Sequence, residues 1–498
     1  MKNIISILFL LTFSILGSKA QNRDLTAHPH ADRLILADTF QLPFAIAQEK
    51  KLSQEDILNK KEGLFLTGLP RFEFDPIRGF GVGGNIFLFQ NKTKEDPFFY
   101  YTPYRYNLST EFFIFENGRV RAAVNLDVPY IFNSRWRLRA DAVLWEDPHA
   151  QYWGIGRNFL RSLEFQDKSG GIAGKDQTFS KVADYEKNLS LALPSNGERW
   201  TTDTHYNQFM QREALFNVLA ERVELGGKLR LMFGYEALFT AFEDFTGKVA
   251  EKAFMADGRP VEAIQNPTLL SRQIQDGTWS RFNLRGFDSD YQFTSMLAGA
   301  LIYDTRDLEP DPSQGLFLQY SHEYSAPWLG SNFDFNKFMV QGQVFHTFHR
   351  WNQGKGKLTF AGAVSFGHIF GRKINFIEMW DLSSQAEAGG ILVLGGARSL
   401  RGFREARFLA PTVGLVNLEL RAKFTDFHLW KQHFSLGVTP FYDFGTVWDG
   451  IREIEFNQFK GAPGVGARIG WNQSTVLRLD YARSTEGAQV FFGFGHVF

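Results

Sequence analysis

Apolar and polar residues alternate over many short stretches of the chain, which is the pattern of β-strands with two different faces. In the stretch 415–421, Asn417, Glu419 and Arg421 share one face with Leu415, and the other face is apolar, with Val416, Leu418 and Leu420. Successive side chains of a strand point to opposite sides, so each stretch predicts one apolar and one polar surface. Sixteen strands are predicted, near 80–90, 103–116, 119–132, 136–147, 151–158, 204–219, 222–239, 293–304, 315–326, 334–350, 357–370, 413–426, 433–448, 461–471, 475–484 and 488–498.

The connections between these strands differ in length according to the parity of the strand before them. The connections after even-numbered strands are mostly brief, as at Glu116-Asn117-Gly118, Glu221-Arg222 and Asn472-Gln473-Ser474. The long connections all follow odd-numbered strands, near 159–203, 240–292 and 371–412. Outer-membrane barrels have short periplasmic turns and long extracellular loops. The sequence therefore predicts an all-β fold, a sixteen-stranded antiparallel transmembrane β-barrel with both termini in the periplasm.

The composition supports a membrane barrel. The 498-residue chain contains 52 Phe and 16% aromatic residues, yet its mean hydropathy is only −0.23. A barrel needs outward apolar side chains at alternate positions only, so its mean hydropathy stays unremarkable. Charged strand residues such as Arg137, Arg468 and Arg478 must face the lumen, because arginine at the lipid midplane costs about 2–4 kcal/mol.

Net charge and cysteine content exclude several other classes. The formal net charge is zero, which argues against a nucleic-acid partner. The chain has no cysteine, so it has no disulfide, no thiolate chemistry and no lipoprotein anchor.

The first residues have the features of an export signal. Lys2 precedes an apolar stretch over 4–16, and Ser18-Lys19-Ala20 provides a small-x-small cleavage site. Residues 1–20 are therefore predicted to be a signal peptide, with the mature chain beginning at Gln21. No later run of about 18 apolar residues predicts a helix that spans a bilayer.

Residues 21–62 are predicted to form a short N-terminal periplasmic or plug segment, and residues 63–498 the barrel. Ser53-Gln54-Glu55-Asp56 resembles a helix start with Ser53 as its cap. One short helix is all that this segment supports.

An arginine on a glycine-flanked loop and acids on two later strands form a candidate ion pair. Glu419 lies on the polar face of its strand, and Asp443 shares a face with Phe441 and Gly445. A guanidinium group can bind carboxylates through paired, charge-assisted hydrogen bonds. Spacing alone leaves two interpretations open, either a pairing across the lumen or a surface arginine with two unrelated strand acids. The residues of this candidate lock are Arg401, Gly402, Phe403, Glu419, Phe441, Asp443 and Gly445.

These segments resemble the BamA/TamA superfamily, the bacterial surface-antigen barrels that insert or secrete proteins at the outer membrane. In that family the sixth extracellular loop carries an Arg-Gly-Phe/Tyr tip that is tucked into the lumen. The resemblance extends over roughly residues 290 to 498 and is weak before them. It is also carried by Tyr303-Asp304-Thr305-Arg306-Asp307 with Pro312 and Gly315, by Leu329-Gly330-Ser331, and by Arg478-Leu479-Asp480-Tyr481-Ala482 with Phe498.

The family pattern assigns roles to the candidate lock. It implies that Arg401 is the lumenal loop arginine, that Glu419 and Asp443 are its strand partners, and that Phe441 packs beside it. Insertases and secretion pores of the family usually carry periplasmic polypeptide-transport (POTRA) domains, and residues 21–62 are too few for even one. The resemblance therefore implies a member reduced to its barrel.

Glycines in the first and last predicted strands suggest where the barrel closes. Glycine inside a strand loses side-chain packing, so a seam between these strands is predicted to be the weakest edge of the sheet, as a lateral gate requires. The alternative is that small residues let the barrel curve or admit a plug. The predicted seam comprises Gly81, Gly83, Gly84, Gly493, Gly495 and Phe498.

Little other chemistry is predicted. The glycine-rich stretch 79–84 is followed by a strand and not by the helix that a phosphate-binding loop needs. His28 and His30 have no third metal ligand in view, and neither a Ser/His/Asp arrangement nor a Gly-x-Ser-x-Gly turn is present. The sequence thus predicts no enzyme, no metal and no cofactor.

The resemblance implies a function at the outer membrane of a Gram-negative bacterium. There the protein would assist in inserting or translocating protein or lipid, in contact with outer-membrane lipid and lipopolysaccharide. Periplasmic or outer-membrane assembly partners would replace the missing domains. Two other functions stay open: a passive channel, since sixteen strands can enclose an aqueous lumen, and a structural or surface-display scaffold that uses the long loops.

Overall fold

In this computed structural model, sixteen strands among the described residues form a closed antiparallel β-barrel. The described residues are 42–46, 51–52, 57–58, 60–75, 78–160, 163–166, 176–195, 199–250, 252–307, 311–352, 355–380, 393–429, 432–471 and 475–498. The strands are β1 (Leu64–Asp75), β2 (Gly79–Gln90), β3 (Tyr106–Phe115), β4 (Val120–Val128), β5 (Trp136–Gln151), β6 (Gln208–Glu224), β7 (Leu229–Glu243), β8 (Gln292–Asp304), β9 (Gln314–Ser325), β10 (Asp334–Trp351), β11 (Gly356–Asn375), β12 (Thr412–Leu429), β13 (Gln432–Trp448), β14 (Lys460–Trp471), β15 (Thr475–Ser484) and β16 (Gly487–Phe494).

Several predictions fall on parts of the chain that lie outside the described residues. These are the signal peptide 1–20, His28 and His30, the helix start Ser53-Gln54-Glu55-Asp56 and the turn Asn472-Gln473-Ser474.

The connections contain short elements of their own. The α-helices are α1 (Val182–Leu189), α2 (Leu269–Gln275) and α3 (Thr278–Arg281). The 3₁₀ turns are Pro97–Tyr100, Ile131–Asn133, Arg157–Leu160, Leu225–Gly227, Pro327–Leu329, Phe376–Met379 and Ile451–Glu453. The short strands are Leu163–Gln166, Asp176–Phe179, Ala192–Ser195, Arg199–Thr202, Ile264–Gln265 and Leu284–Arg285. Within the described ranges, every helix is too short or too polar to cross a membrane.

The barrel is apolar outside and polar inside, the reverse of a water-soluble domain. The outer face exposes large apolar side chains, among them Leu66, Ile86, Leu144, Phe233, Val364 and Tyr481. The buried inner face carries polar and charged side chains, among them Asn217, Glu323, Lys337, Gln341, Arg478 and Asp480. Apolar and charged residues alternate along 136–144, 464–471 and 477–481. Arg468, Arg478 and Asp480 are buried, whereas Arg137, Arg139 and Asp141 are half-buried. A surface of this kind is suited to lipid.

The predicted number of strands is right, but two of the assignments are wrong. Leu64–Asp75 is a strand that the prediction missed, because a proline inside a run argues against a strand unless the strand lies at an edge. Pro70 is tolerated because β1 is the first strand of the barrel and lies at its seam. The predicted strand at 151–158 is a loop instead, since Gly154 and Gly156 have φ angles of 91° and 99° that end the extended backbone after Gln151.

Because one strand was left out and one was added, the predicted strand numbers agree with the structure beyond residue 151. Before that residue, each predicted number is one too low. The turn Glu116-Asn117-Gly118 follows β3 and therefore lies at the same end as the long loops, contrary to the prediction. Glu221 and Arg222 lie inside β6, and the turn comes at Leu225–Gly227. The three long loops, now bounded as 152–207, 244–291 and 376–411, leave from one end as predicted.

The long loops fold over their end of the barrel around one apolar core, here called the cap core. Trp279 lies 4.8 Å from Phe376, whose ring is 4.5 Å from Phe242 (centroid distances). The indole Nε1 of Trp279 donates to the hydroxyl of Tyr152 at 2.9 Å. The same cluster includes Leu394, Leu400, Phe403 and Phe408 of the loop 376–411. This end of the lumen is therefore filled with packed side chains.

The described residues before β1 pack at the opposite end of the barrel. The ring of Phe44 lies 5.6 Å from Phe98 and 5.5 Å from Tyr130. Ile57 packs with Phe99, and the ammonium group of Lys60 donates to the carbonyl oxygen of Phe99 at 2.6 Å. The described parts of 42–62 are thus attached to the connections 91–105 and 129–135.

Candidate functional site: a buried arginine network and the barrel seam

The loop that carries Arg401 is a compact turn held inside the barrel. Gly395, Gly396 and Gly402 have φ angles of 114°, 90° and 96°, which favour glycine. The hydroxyl of Ser399 accepts a hydrogen bond from the amide nitrogen of Gly395 at 3.1 Å and donates one to the carbonyl oxygen of Gly395 at 2.8 Å. Phe403 is buried and meets Phe408 edge to face at 5.2 Å. These contacts aim Arg401 away from the cap core and into the lumen.

Arg401 is fully buried and binds three carboxylates. Its Nε and Nη2 donate to the two carboxylate oxygens of Asp443 at 2.7 and 2.8 Å. Its Nη1 donates to Glu419 at 2.9 Å and to Asp480 at 3.2 Å. The contacts predicted for Arg401 with Glu419 and Asp443 are both present. Burial opposes the charge on Arg401, but Asp443, Glu419 and Asp480 raise the pKa of its guanidinium group.

Three glycines make room for the loop and its contacts with the sheet. The guanidinium carbon of Arg401 lies 3.4 Å from the centre of the Phe441 ring, a cation–π contact away from water. A Cβ on Gly464 would lie 2.1 Å from that ring, and a Cβ on Gly402 would lie 2.9 Å from the Cβ of Ala462. A Cβ on Gly445 would lie 3.2 Å from the side chain of Leu394. Small residues therefore let the loop and the ring approach the sheet.

Further arginines surround the three acids. Arg421 donates to Glu419 at 2.9 Å, and Arg468 donates to Asp480 at 2.5 Å. Arg478 contacts Asp480 at 3.4 Å and donates to the carbonyl oxygen of Ala397 at 2.9 Å. The Arg401 network is defined here as Arg401, Glu419, Asp443, Asp480, Arg421, Arg468 and Arg478. It joins the loop to β12, β13, β14 and β15.

Asp480 is a partner of Arg401 that the sequence did not predict. Alternation placed Asp480 and Arg478 on the lumenal face of their strand, and the structure confirms that placement. The position of a strand residue along the barrel axis depends on the stagger between neighbouring strands, and alternation along the sequence does not show that stagger. The alternation therefore indicates that Asp480 is a lumenal acid, but it does not indicate which loop residue Asp480 contacts.

The loop is also tied down outside this network. Arg407 and Glu486 form a buried ion pair at 2.8 Å. Arg404 binds Glu186 of α1 at 2.8 Å, and Arg78 binds Glu405. The loop therefore bridges the connection before β16, the loop 152–207 and the connection before β2.

The barrel closes between β1 and β16, not between the strands predicted from the sequence. Phe74 and Phe492 are the one registered pair between these strands among the described residues. The neighbouring pairs are continuous, from Leu64↔Gln90 to Asp75↔Gly79 for β1 and β2, and from Leu477↔Phe494 to Ser484↔Gly487 for β15 and β16.

The prediction that Gly81, Gly83 and Gly84 line the seam is wrong. They lie in β2, which pairs with β1 on one side and β3 on the other. A Cβ on Gly81 or Gly83 would lie 2.6 or 2.3 Å from the side chain of Phe113, so these glycines admit a neighbouring ring.

The residues after β16 turn into the lumen. Gly495 has a φ angle of 78°, which ends the strand. His496 then lies 3.2 Å from Asp311, and the main-chain oxygen of Phe498 accepts a hydrogen bond from Arg421 at 3.0 Å. Of the predicted seam residues, Gly493 lies in β16, whereas Phe498 leaves the seam altogether. The seam therefore gains no pairing from these last residues.

The fold and its outer face define an outer-membrane β-barrel of a Gram-negative bacterium. Residues 230–498, which include the whole Arg401 network, match the Omp85 superfamily domain. The chain belongs to the Omp85 superfamily, which confirms the resemblance seen in the sequence. Residues 42–105 match a domain of unknown function, DUF5982, which here spans β1, β2 and the described residues before them.

Solved structures of similar fold share little sequence with this chain. BamA from Haemophilus ducreyi lacking POTRA domains 1–3 is 10% identical, with a TM-score of 0.48 over 87% of this chain and 70% of that chain. CdiB from Escherichia coli is 10% identical, with a TM-score of 0.47 over 86% of this chain and 62% of that chain. CdiB from Acinetobacter baumannii is 10% identical, with a TM-score of 0.43 over 87% and 60%. This chain thus spans less than two thirds of the CdiB chains.

No curated protein matches the chain. The described residues before β1 contain no POTRA-like domain. Within the same described ranges, no group of three or more His, Cys, Asp or Glu side chains could hold a metal ion.

Proposed function

We propose that this barrel assists the insertion or translocation of protein or lipid at the outer membrane, by parting β1 from β16. The observation that carries the proposal is the single registered pair Phe74↔Phe492 at the seam. Each backbone hydrogen bond contributes about 0.5–1.5 kcal/mol net, so a short ladder separates more easily than a continuous one. Parted strands present unpaired edges, which can pair with an incoming strand.

The Arg401 network supports an opening that is confined to the seam. Glu419, Asp443 and Asp480 fix the loop to three strands, and the last of these strands is the neighbour of β16. Breaking one partner out of a buried ion cluster is costly. The network therefore keeps β12 to β15 in place while the free edge of β16 parts from β1, with the residues after β16 still held by Arg421.

We also propose that both termini face the periplasm, since the long loops lie at the other end of the barrel. Phe44, Ile57 and Lys60 and the connections 91–105 and 129–135 would then form a periplasmic surface for an assembly partner. The exposed apolar belt would contact outer-membrane lipid and lipopolysaccharide.

A disulfide across the seam tests the proposal. The chain has no cysteine, so Phe74→Cys with Phe492→Cys introduces the two thiols needed. Oxidation should block outer-membrane assembly in cells that depend on this protein and leave the folded band on gels intact. The matched control is Phe72→Cys with Val82→Cys, a registered outward pair between β1 and β2, which should leave function unchanged. Full activity with the seam cross-linked would rule out lateral opening.

Conductance separates this proposal from a passive channel. The cap core and the Arg401 loop fill one end of the lumen, so the intact barrel should show low, flickering conductance in planar bilayers. Deleting residues 398–406 should raise it. Large and steady conductance of the intact protein would favour the channel.

A further inference from the structure

A lumenal cavity lies at the end of the barrel opposite the cap core. Its volume is about 330 Å³, and it is lined by residues of β11 to β15, the connection after β8 and the residues after β16. Most of its charged lining residues are basic. They are Lys357, Arg421, Lys423 and Arg468, with Asp311 as the one acid among the lining residues that the structure describes. The imidazoles of His433 and His496 also line the cavity.

The two arginines of this cavity keep donors that the protein does not use. Arg421 and Arg468 are 5% and 6% exposed. Nη1 of Arg421, and Nε and Nη2 of Arg468, have no hydrogen-bond partner in the described part of the chain. A buried donor left without an acceptor is unfavourable, so these groups indicate a site for an acceptor from outside the chain.

Nearby acids are already engaged by other cations. Glu419 and Asp480 bind Arg401 as well as the cavity arginines. Asp311 lies between Lys357 at 3.0 Å and His496 at 3.2 Å. Burial lowers the pKa of His496 to about 4, and the charge of Arg421 contributes to the shift. Lys423 is likewise paired, with Asp426 at 3.0 Å. The cavity therefore offers an anion the unused arginine donors and two lysines, each of which is shared with one carboxylate.

We infer that this cavity binds a phosphate group, carried either by a soluble phosphorylated molecule or by a lipid headgroup. A monoester phosphate has a charge of about −1.5 to −2 and three acceptor oxygens, which suits several convergent donors better than one carboxylate does. Arginine pairs with phosphate through two parallel hydrogen bonds, and lysine adds a point charge. The inference concerns binding at the barrel mouth and does not depend on whether the seam opens.

Isothermal titration calorimetry of the detergent-purified full chain with pyrophosphate, at low ionic strength, tests the site. We expect saturable binding. Lys357→Gln with Lys423→Gln should weaken it at least about tenfold, because charge-assisted contacts are lost; neither lysine contacts Arg401. Lys355→Gln is the matched control, an exposed lysine at the same end that does not line the cavity. It should bind like the unmodified protein.

Two results would overturn the inference: no saturable binding at millimolar pyrophosphate, or equal binding by the double variant when its folded band is normal. Binding of acetate as tightly as pyrophosphate would also overturn it, since the site would then select any anion. Dihexanoyl phosphatidic acid identifies the source of the phosphate. Tighter binding of this lipid than of inorganic phosphate assigns a headgroup, and equal or weaker binding assigns a soluble phosphate; both support a phosphate site.

Discussion

The Arg401 network and the β1–β16 seam are neighbours, but they are held in opposite ways. The network joins a fully buried loop arginine to Glu419, Asp443 and Asp480, with N–O distances of 2.7 to 3.2 Å. The seam, one strand beyond Asp480, has one registered residue pair among the described residues. The buried ion pairs of this barrel thus hold β12 to β15, whereas the edge of β16 that faces β1 is nearly unpaired.

The contrast also separates two kinds of stabilisation. A buried ion cluster adds little to stability compared with apolar packing, yet it is costly to break and it fixes geometry. A backbone ladder contributes in proportion to its length. The network therefore sets where the loop sits, whereas the length of the ladder sets how easily the edge separates.

The largest effect is expected from Arg401→Ala. Removing one partner from a buried ion cluster costs about 3–5 kcal/mol, because Glu419, Asp443 and Asp480 would face one another without the central cation. The temperature at which the folded band converts to the unfolded band on gels should fall. Arg398→Ala is the control, an exposed arginine of the same loop, and it should change that temperature little. Equal shifts for both variants would mean that the network does not fix the loop.

Much of the network could be predicted from the sequence, since period-two alternation places Glu419, Asp443 and Asp480 on the lumenal face. The glycine-flanked Arg401 then supplies the cation. Alternation does not determine the position of a residue along the barrel axis, because that position depends on the stagger between strands. For this reason the third acid was missed.

The seam was the less predictable of the two regions. Pro70 breaks the pattern by which strands are recognised, so the sequence does not predict β1 and makes its neighbour β2 the first strand. Gly81 and Gly83 then suggested a weak edge, although they accommodate the ring of Phe113. Glycine in a strand can mark a close approach instead of a weak edge, and only the tertiary neighbours distinguish the two.

A smaller effect is expected from Gly402→Ala, which shifts the loop without removing charge. Alanine at a positive φ costs about 1–3 kcal/mol, and here its Cβ would also lie 2.9 Å from Ala462. Gly247→Ala is matched, since its φ is 75° but no atom lies within 4 Å of the added Cβ. Thermal unfolding should show a larger loss for Gly402→Ala. An equal loss would mean that close packing of the loop on the sheet contributes nothing.

The smallest effect is a local one, the exchange of backbone amides at the seam, which leaves global stability unchanged. Amides on the facing edges of β1 and β16 should exchange at least about tenfold faster than those between β10 and β11, since local opening there breaks fewer hydrogen bonds. Hydrogen exchange followed by mass spectrometry measures this. Equal protection at the two places would show that the seam is not the weak edge. The same measurement on Arg401→Ala tests whether the two regions are coupled: protection lost only in β12 to β15 would make them independent, whereas faster exchange at the seam as well would mean that the network also holds β16 in place.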